Sequence, residues 1–201
     1  LSAVALVVIF EVAFGGFFWY NKSMDTPLII LKKEHKVARN IVRILSSIAK
    51  LLLEKKPVSL IFMRDLTKAV GKTMTEHHRK EMEIFAFLTE KAEVGKKELL
   101  EILIGEHNLG DEYLANMLRI INLEKHGEKE KYELLPFHCE KYSRLLDEHI
   151  EKEEDDFFPL IKAYIGNEDQ GYLSDKFAKI EKETHSQGAL TFISEAGKRY
   201  L

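Results

Sequence analysis

From residue 27 onward, apolar residues recur every three or four positions in long runs, and four slots of that pattern carry histidine instead of leucine: His35, His77, His107 and His149. A recurrence of this kind is the mark of amphipathic helix, so the chain reads as all-α. An imidazole on an inward stripe must find a partner, because burying an unpaired polar group costs free energy. Two of the four have a glutamate one turn on: His77 with Glu81, and His149 with Glu153. Residues four apart stack on one helical face, so each pair aims at a single point.

The element boundaries follow from caps and breakers. Asp25 or Thr26 can cap a helix whose first turn takes Pro27, running to about Lys55 before Pro57. Its stripe is Leu28, Leu31, His35, Ala38, Val42, Leu45, Ala49 and Leu52. A second helix spans about 58–92, with Met63, Leu66, Val70, Met74, His77, Glu81, Ile84 and Leu88 inward, and Gly95 marks the turn after it. A third spans about 97–124, with Leu100, Leu103, His107, Leu114 and Ile121 inward, and ends at His126-Gly127-Glu128. A fourth spans about 131–165, with His138, Tyr142, Leu145, His149, Glu153, Phe157 and Leu160 inward, bent or broken by Pro136 and Pro159. After Gly166-Asn167 a fifth helix spans about 169–200. The short connections imply antiparallel neighbours, hence an up-down four-helix bundle with an extra C-terminal helix. No internal repeat is apparent in this reading.

Up-down topology turns the helix positions into heights. At about 1.5 Å per residue, His35, His77, His107 and His149 fall at about 12, 13, 15 and 15 Å from the same end of the bundle. Four imidazoles and two carboxylates on one layer are what a metal centre inside a bundle requires. Glu81 and Glu153 would repel if both were ionised in a dry core. A pair of divalent cations removes that repulsion, and each carboxylate can bridge them. Mixed nitrogen and oxygen donors suit iron, manganese or zinc.

The first twenty residues have a different character. From Leu1 to Tyr20 the only charge is Glu11, and the stretch is long enough, at about 30 Å of helix, to span a bilayer. Glu11 near its middle would cost about 2.5–3.5 kcal/mol on insertion. Membrane anchor and non-spanning segment both stand as readings of residues 1–22, with a metal-binding domain over residues 24–201. Cys139 is the only cysteine, which excludes an intrachain disulfide and fits a reducing, cytoplasmic setting. The net charge of −3, with both signs interspersed, gives no footing for nucleic acid. No Ser-His-Asp or Cys-His arrangement, glycine-rich phosphate loop or zinc-finger spacing is present.

The ordered stretches Leu31 to His35, His77-His78-Arg79-Lys80-Glu81, Gly105-Glu106-His107 and His149 to Glu153, running into Phe157-Phe158-Pro159, resemble a hemerythrin-like (HHE cation-binding) domain over about residue 24 to the C-terminus. The resemblance implies a four-helix bundle with a non-haem di-iron centre. His35, His77, His107 and His149 would be terminal ligands, and Glu81 and Glu153 would bridge two iron ions, with manganese or zinc as lesser alternatives. It implies dioxygen, or another small diatomic or peroxide, as the partner. An enzyme acting on peroxide or nitric oxide, or an iron donor for repair of iron–sulfur centres, is the rival reading.

Departures from the oxygen carriers qualify that expectation. The carriers have a second histidine one turn after the third-helix ligand, where this chain has Asp111, for which ligand, solvent-facing and orienting roles are all open. Their last carboxylate lies five residues after its histidine, which would select Glu154; the four-residue spacing of many relatives selects Glu153, which we adopt. His78, about 100° round the helix from His77, is expected outside the ligand set. His138 is expected to be a core or interfacial histidine away from the centre and His126 to be in solvent, and for His185 a supporting role or that of a further imidazole ligand is open.

Overall fold

A computed structural model describes residues 25–91, 94–125 and 129–201. The hydrophobic segment at residues 1–22 and the break at 126–128 lie outside the described residues. Helix α1 spans Pro27–Leu53, α2 Leu60–Lys91 and α3 Val94–Lys125. A 3₁₀ turn, Lys129–Leu134, leads into α4, Leu135–Lys152; a π-helical turn, Glu153–Phe157, joins α4 to α5, Phe158–Tyr164. Helices α6, Asn167–Thr184, and α7, Gln187–Tyr200, complete the chain. The described residues contain no strand, and none of their helices is long and apolar enough to cross a membrane.

Local chemistry sets the ends. Thr26 caps α1, its hydroxyl accepting from the Ile29 amide at 3.4 Å, with Pro27 in the first turn where its missing N–H costs nothing. Helix α3 begins at Val94, so Gly95 lies inside the helix rather than at the turn expected there.

The apolar side chains form two separate cores. One gathers Ile44, Leu45 and Ile48 of α1, Met63, Leu66 and Val70 of α2, Met117 and Ile120 of α3 and Leu135, Cys139 and Tyr142 of α4. The other gathers Leu31, Ile84, Phe85, Leu88, Leu100, Leu103, Phe157 and Phe158, closed by Leu173 and Phe177 of α6. Along α1 and α3 the chain crosses the two cores in one order, and along α2 and α4 in the opposite sense. Each crossing passes one or two of the histidines. The buried histidines, with Glu81 and Glu153, therefore form a single layer with an apolar core above and below it.

Two departures from the sequence reading have physical causes. The expected fourth helix is interrupted by the π turn, in which the Phe158 amide bonds to the Glu153 carbonyl five residues back. Pro159 has no N–H to offer the next α-helical bond, and the widened turn accommodates that loss. The expected fifth helix is two helices. His185, at φ 51° and ψ 44°, takes the left-handed conformation that ends α6, and α7 folds back. This helical pair lies along the seam between α1 and α2, which touch each other little and instead pack on α6 and α7.

Candidate metal centre

Each of the four main helices delivers imidazole or carboxylate to the polar layer, and the donors meet in two overlapping groups. His35, His77, Glu81 and Glu153 form one, and His78, Glu81, His107 and His149 the other; within each group the donor atoms lie within 4.8 Å of one another. Glu81 belongs to both. Its Oε1 is 3.0 Å from Nε2 of His77, and its Oε2 is 3.2 Å from Nε2 of His107. Glu153 spans the layer in the same manner, with Oε2 3.1 Å from Nε2 of His35 and Oε1 3.3 Å from Nε2 of His149. Both carboxylates are wholly buried.

Those close approaches are not all hydrogen bonds. Nε2 of His77, both oxygens of Glu81 and Oε1 of Glu153 are buried without a hydrogen-bond partner. Native cores rarely leave so many polar atoms unsatisfied in one place. Lone pairs of imidazole and carboxylate converging on common points fit a pair of divalent cations. Nε2 of His107 also lies 3.2 Å from Nε2 of His149, a contact that one proton or one cation can reconcile.

The outward nitrogens show how these imidazoles are held. Nδ1 of His77 donates to Glu34 at 2.9 Å, and Glu34 is paired with the buried Lys80. Nδ1 of His149 donates to Glu106 at 2.8 Å, and Glu106 is paired with Lys152. Nδ1 of His35 donates to Glu154 at 3.0 Å, and Arg39 grips both oxygens of Glu154 at 2.8 Å each. A carboxylate at Nδ1 fixes the tautomer and leaves Nε2 available to a cation. Glu154 thus serves as an orienting group behind His35, while Glu153 faces the centre. His107 is held by stacking: its ring lies 3.8 Å from that of His78, the planes 8° apart, with Phe85 on the same stack.

Charge is balanced inside the layer. Burial alone would raise the Glu81 carboxyl, yet His77 and His107 hold it well below the usual carboxylate range. Burial likewise opposes protonation of His77 and His149, but their glutamates prevail: His77 is raised well above its ordinary value by Glu81 and Glu34, and His149 to about 9 by Glu153 and Glu106. His78 behaves oppositely, since burial and the neighbouring His107 push it well below its ordinary value. Protons on imidazole therefore balance the carboxylates, and a cation held by the same nitrogens would displace them.

The arrangement contains a repeat that the sequence reading missed. Glu34 and His77 are 43 residues apart, as are Glu106 and His149; Lys80 lies 46 from Glu34, as Lys152 does from Glu106. Helices α1 and α2 thus repeat in α3 and α4. The doubled Glu-His pairs, each followed at one spacing by His-x-x-Lys-Glu, were the signal available in the sequence. The repeat fails where Arg39 of the first half corresponds to Asp111 of the second, and where His78 corresponds to Ile150.

The structure brings together His35, His77, Glu81, His107, His149 and Glu153, and it adds His78, which helical phase alone had set aside. Asp111 is exposed and outside both donor groups. His138 packs on Tyr113 and Phe137 away from the layer, and His185 is at the exposed α6–α7 turn. Beside the second donor group, His78, Gly110, Tyr142, Leu145 and Leu146 help line a cavity of about 10 Å³. No curated protein and no solved structure matches the chain, whereas the hemerythrin HHE cation-binding domain family matches residues 26–161.

Proposed function

Because the chain belongs to the hemerythrin HHE cation-binding domain family, we propose that its polar layer holds two iron ions and binds or senses dioxygen or a related small molecule. The observation that carries this reading is the sharing of carboxylates. Glu81 stands in both donor groups, and Glu153 reaches an imidazole on each side. His35 and His77 would face one ion, and His107 and His149 the other.

Iron would supply an accessible coordination position and a change of oxidation state. The chain's own residues do the rest. Glu34, Glu106 and Glu154 keep three imidazoles in the ligating orientation. The apolar cores above and below exclude bulk water and lower the local dielectric. The cavity beside His107 and His149 has room for about one water-sized molecule. That size favours a diatomic or a peroxide over an organic substrate.

Metal content of anaerobically purified protein, with absorption spectra before and after admission of air, tests the proposal. About two irons per chain, with near-ultraviolet charge-transfer bands that appear in air and fade on removal of oxygen, is the expected result. Irreversible oxidation would move the reading to peroxide or nitric oxide chemistry. One zinc per chain, or no metal, would overturn it.

A further inference from the structure

The two donor groups are unequal, and the inequality lies in a single residue. Each half of the repeat supplies one histidine from its first helix and one His-x-x-Lys-Glu from its second. His78 is an additional imidazole in the first half only, and its counterpart is the apolar Ile150. Although consecutive, His77 and His78 serve different groups: His77 stands with His35, and His78 with His107 and His149.

We propose that His78 is a ligand of the second ion, so that two imidazoles face one ion and three face the other. This rests on the two-ion reading above. His78 lies with its donor atom within 4.8 Å of those of Glu81, His107 and His149, and its ring stands edge-on to His149 at 6.2 Å. It also lines the cavity beside that group. The His78 and His107 ring planes are nearly parallel, 8° apart, with centroids 3.8 Å apart, so one ion cannot lie in the plane of both rings, and ligation requires His78 to turn about its side-chain torsions. No hydrogen bond opposes that turn, only the stack on His107: among the described residues none hydrogen-bonds to the His78 ring, whereas His35, His77 and His149 are each held by a glutamate. His78 is therefore the imidazole free to close a coordination position on the cavity side or to leave it open.

Anaerobic titration of metal-free full-length protein with cobaltous ion, followed by absorption and by the hyperfine-shifted exchangeable imidazole protons, tests this. Wild type is expected to take two ions and to show five such protons. His78→Phe, which keeps the stack on His107 but has no nitrogen, is expected to bind the second ion about tenfold or more weakly and to show four. His78→Ala should behave likewise, and His138→Ala should match wild type. Two ions bound with wild-type affinity by both His78 variants would overturn the assignment while leaving the two-ion reading intact. Weakening in His78→Ala with full retention in His78→Phe would also overturn it, since stacking alone would then be the role. A single ion in wild type would overturn both readings. Helicity and melting of His78→Phe separate loss of fold from loss of a ligand.

Discussion

Glu34 and His77 sit on different helices, 43 residues apart, and are joined by a 2.9 Å hydrogen bond through the histidine's Nδ1. Glu106 and His149 repeat the relationship on the other half of the bundle. In each case the glutamate immediately precedes a histidine of the centre, so a Glu-His dipeptide both points an imidazole inward and orients the one on the next helix.

Removing that orientation should weaken cation binding without unfolding the bundle. Outer carboxylates behind ligating histidines are typically worth about 10–100-fold in affinity. Glu34→Ala and Glu106→Ala are expected in that range, and Glu34→Gln, which keeps an acceptor but loses the charge, nearer its lower end. Competition with a chelator of known affinity measures the effect. Unchanged affinity in both alanine variants would mean that the hydrogen bonds are incidental to the centre.

Loss of a converging donor should cost more. His149→Ala and Glu81→Ala are expected to lower bound metal per chain, Glu81→Ala the more severely because its two oxygens stand within 3.0 and 3.2 Å of imidazoles in both groups. Metal analysis after desalting reads this directly. His185 is exposed and belongs to neither donor group, so His185→Gly should leave metal content unchanged. It should also stabilise the fold by about 0.5–1 kcal/mol, since glycine relieves a left-handed backbone cost of about 1–2 kcal/mol while loosening the unfolded chain. A lower melting temperature for His185→Gly would refute the strain at that turn.

Lys80 ties the C-terminal helices to the centre. Its side chain is 1% exposed, and its ammonium is paired with Glu34, with Glu76 at 3.3 Å and with Glu181 of α6 at 3.2 Å. Burial opposes the charge, but the three carboxylates raise the lysine above its ordinary range. Lys80→Met would leave them without their cation. Removing one partner of a buried ion pair costs about 3–5 kcal/mol, and because Glu34 and Glu181 keep some contact with water the lower end, about 3 kcal/mol, is expected. Denaturant unfolding measures it. Lys80→Met should also weaken metal binding through Glu34, and stability within about 0.5 kcal/mol of wild type would contradict the role of this cluster.

How much of this was legible in the sequence depends on what each residue's neighbours are. The stripe of α2, from Met63 through Val70, His77 and Glu81 to Leu88, is buried as its period implies, because it faces the bundle axis. His78 could not be placed by period alone. Helix α2 is covered on its other side by α6 and α7, so more than one stripe of it is enclosed, and the layer is wide enough for two successive side chains to enter different donor groups. The turn at His185 was hidden for another reason. Neither glycine nor proline marks it; the fold-back rests on tertiary contacts, with Thr184 bonded to Glu76 at 2.5 Å and Ile193 and Ala196 entering the main core. The π turn was visible only as Pro159, whose effect on the ladder depends on how the preceding turn adapts.

The pH dependence of the metal-free fold should be opposite to that of metal binding. His149 is raised from an ordinary value near 6.5 to about 9, so its contribution to stability is fully present below 6.5 and is lost as pH rises through 9. Glu154 is lowered from near 4.5 to about 2, chiefly by its hydrogen bonds from Arg39, so its contribution is present above 4.5 and is lost as pH falls through 2. The metal-free protein is thus expected to be most stable between pH 4.5 and 6.5. Cations compete with the protons on His77 and His149, so the rise in melting temperature on adding saturating cobaltous ion should grow between pH 6.5 and 8.5. Thermal melts with and without the ion across that range measure both slopes. A metal-induced shift that stayed flat or shrank as pH rose would show that these imidazoles do not exchange protons for cations.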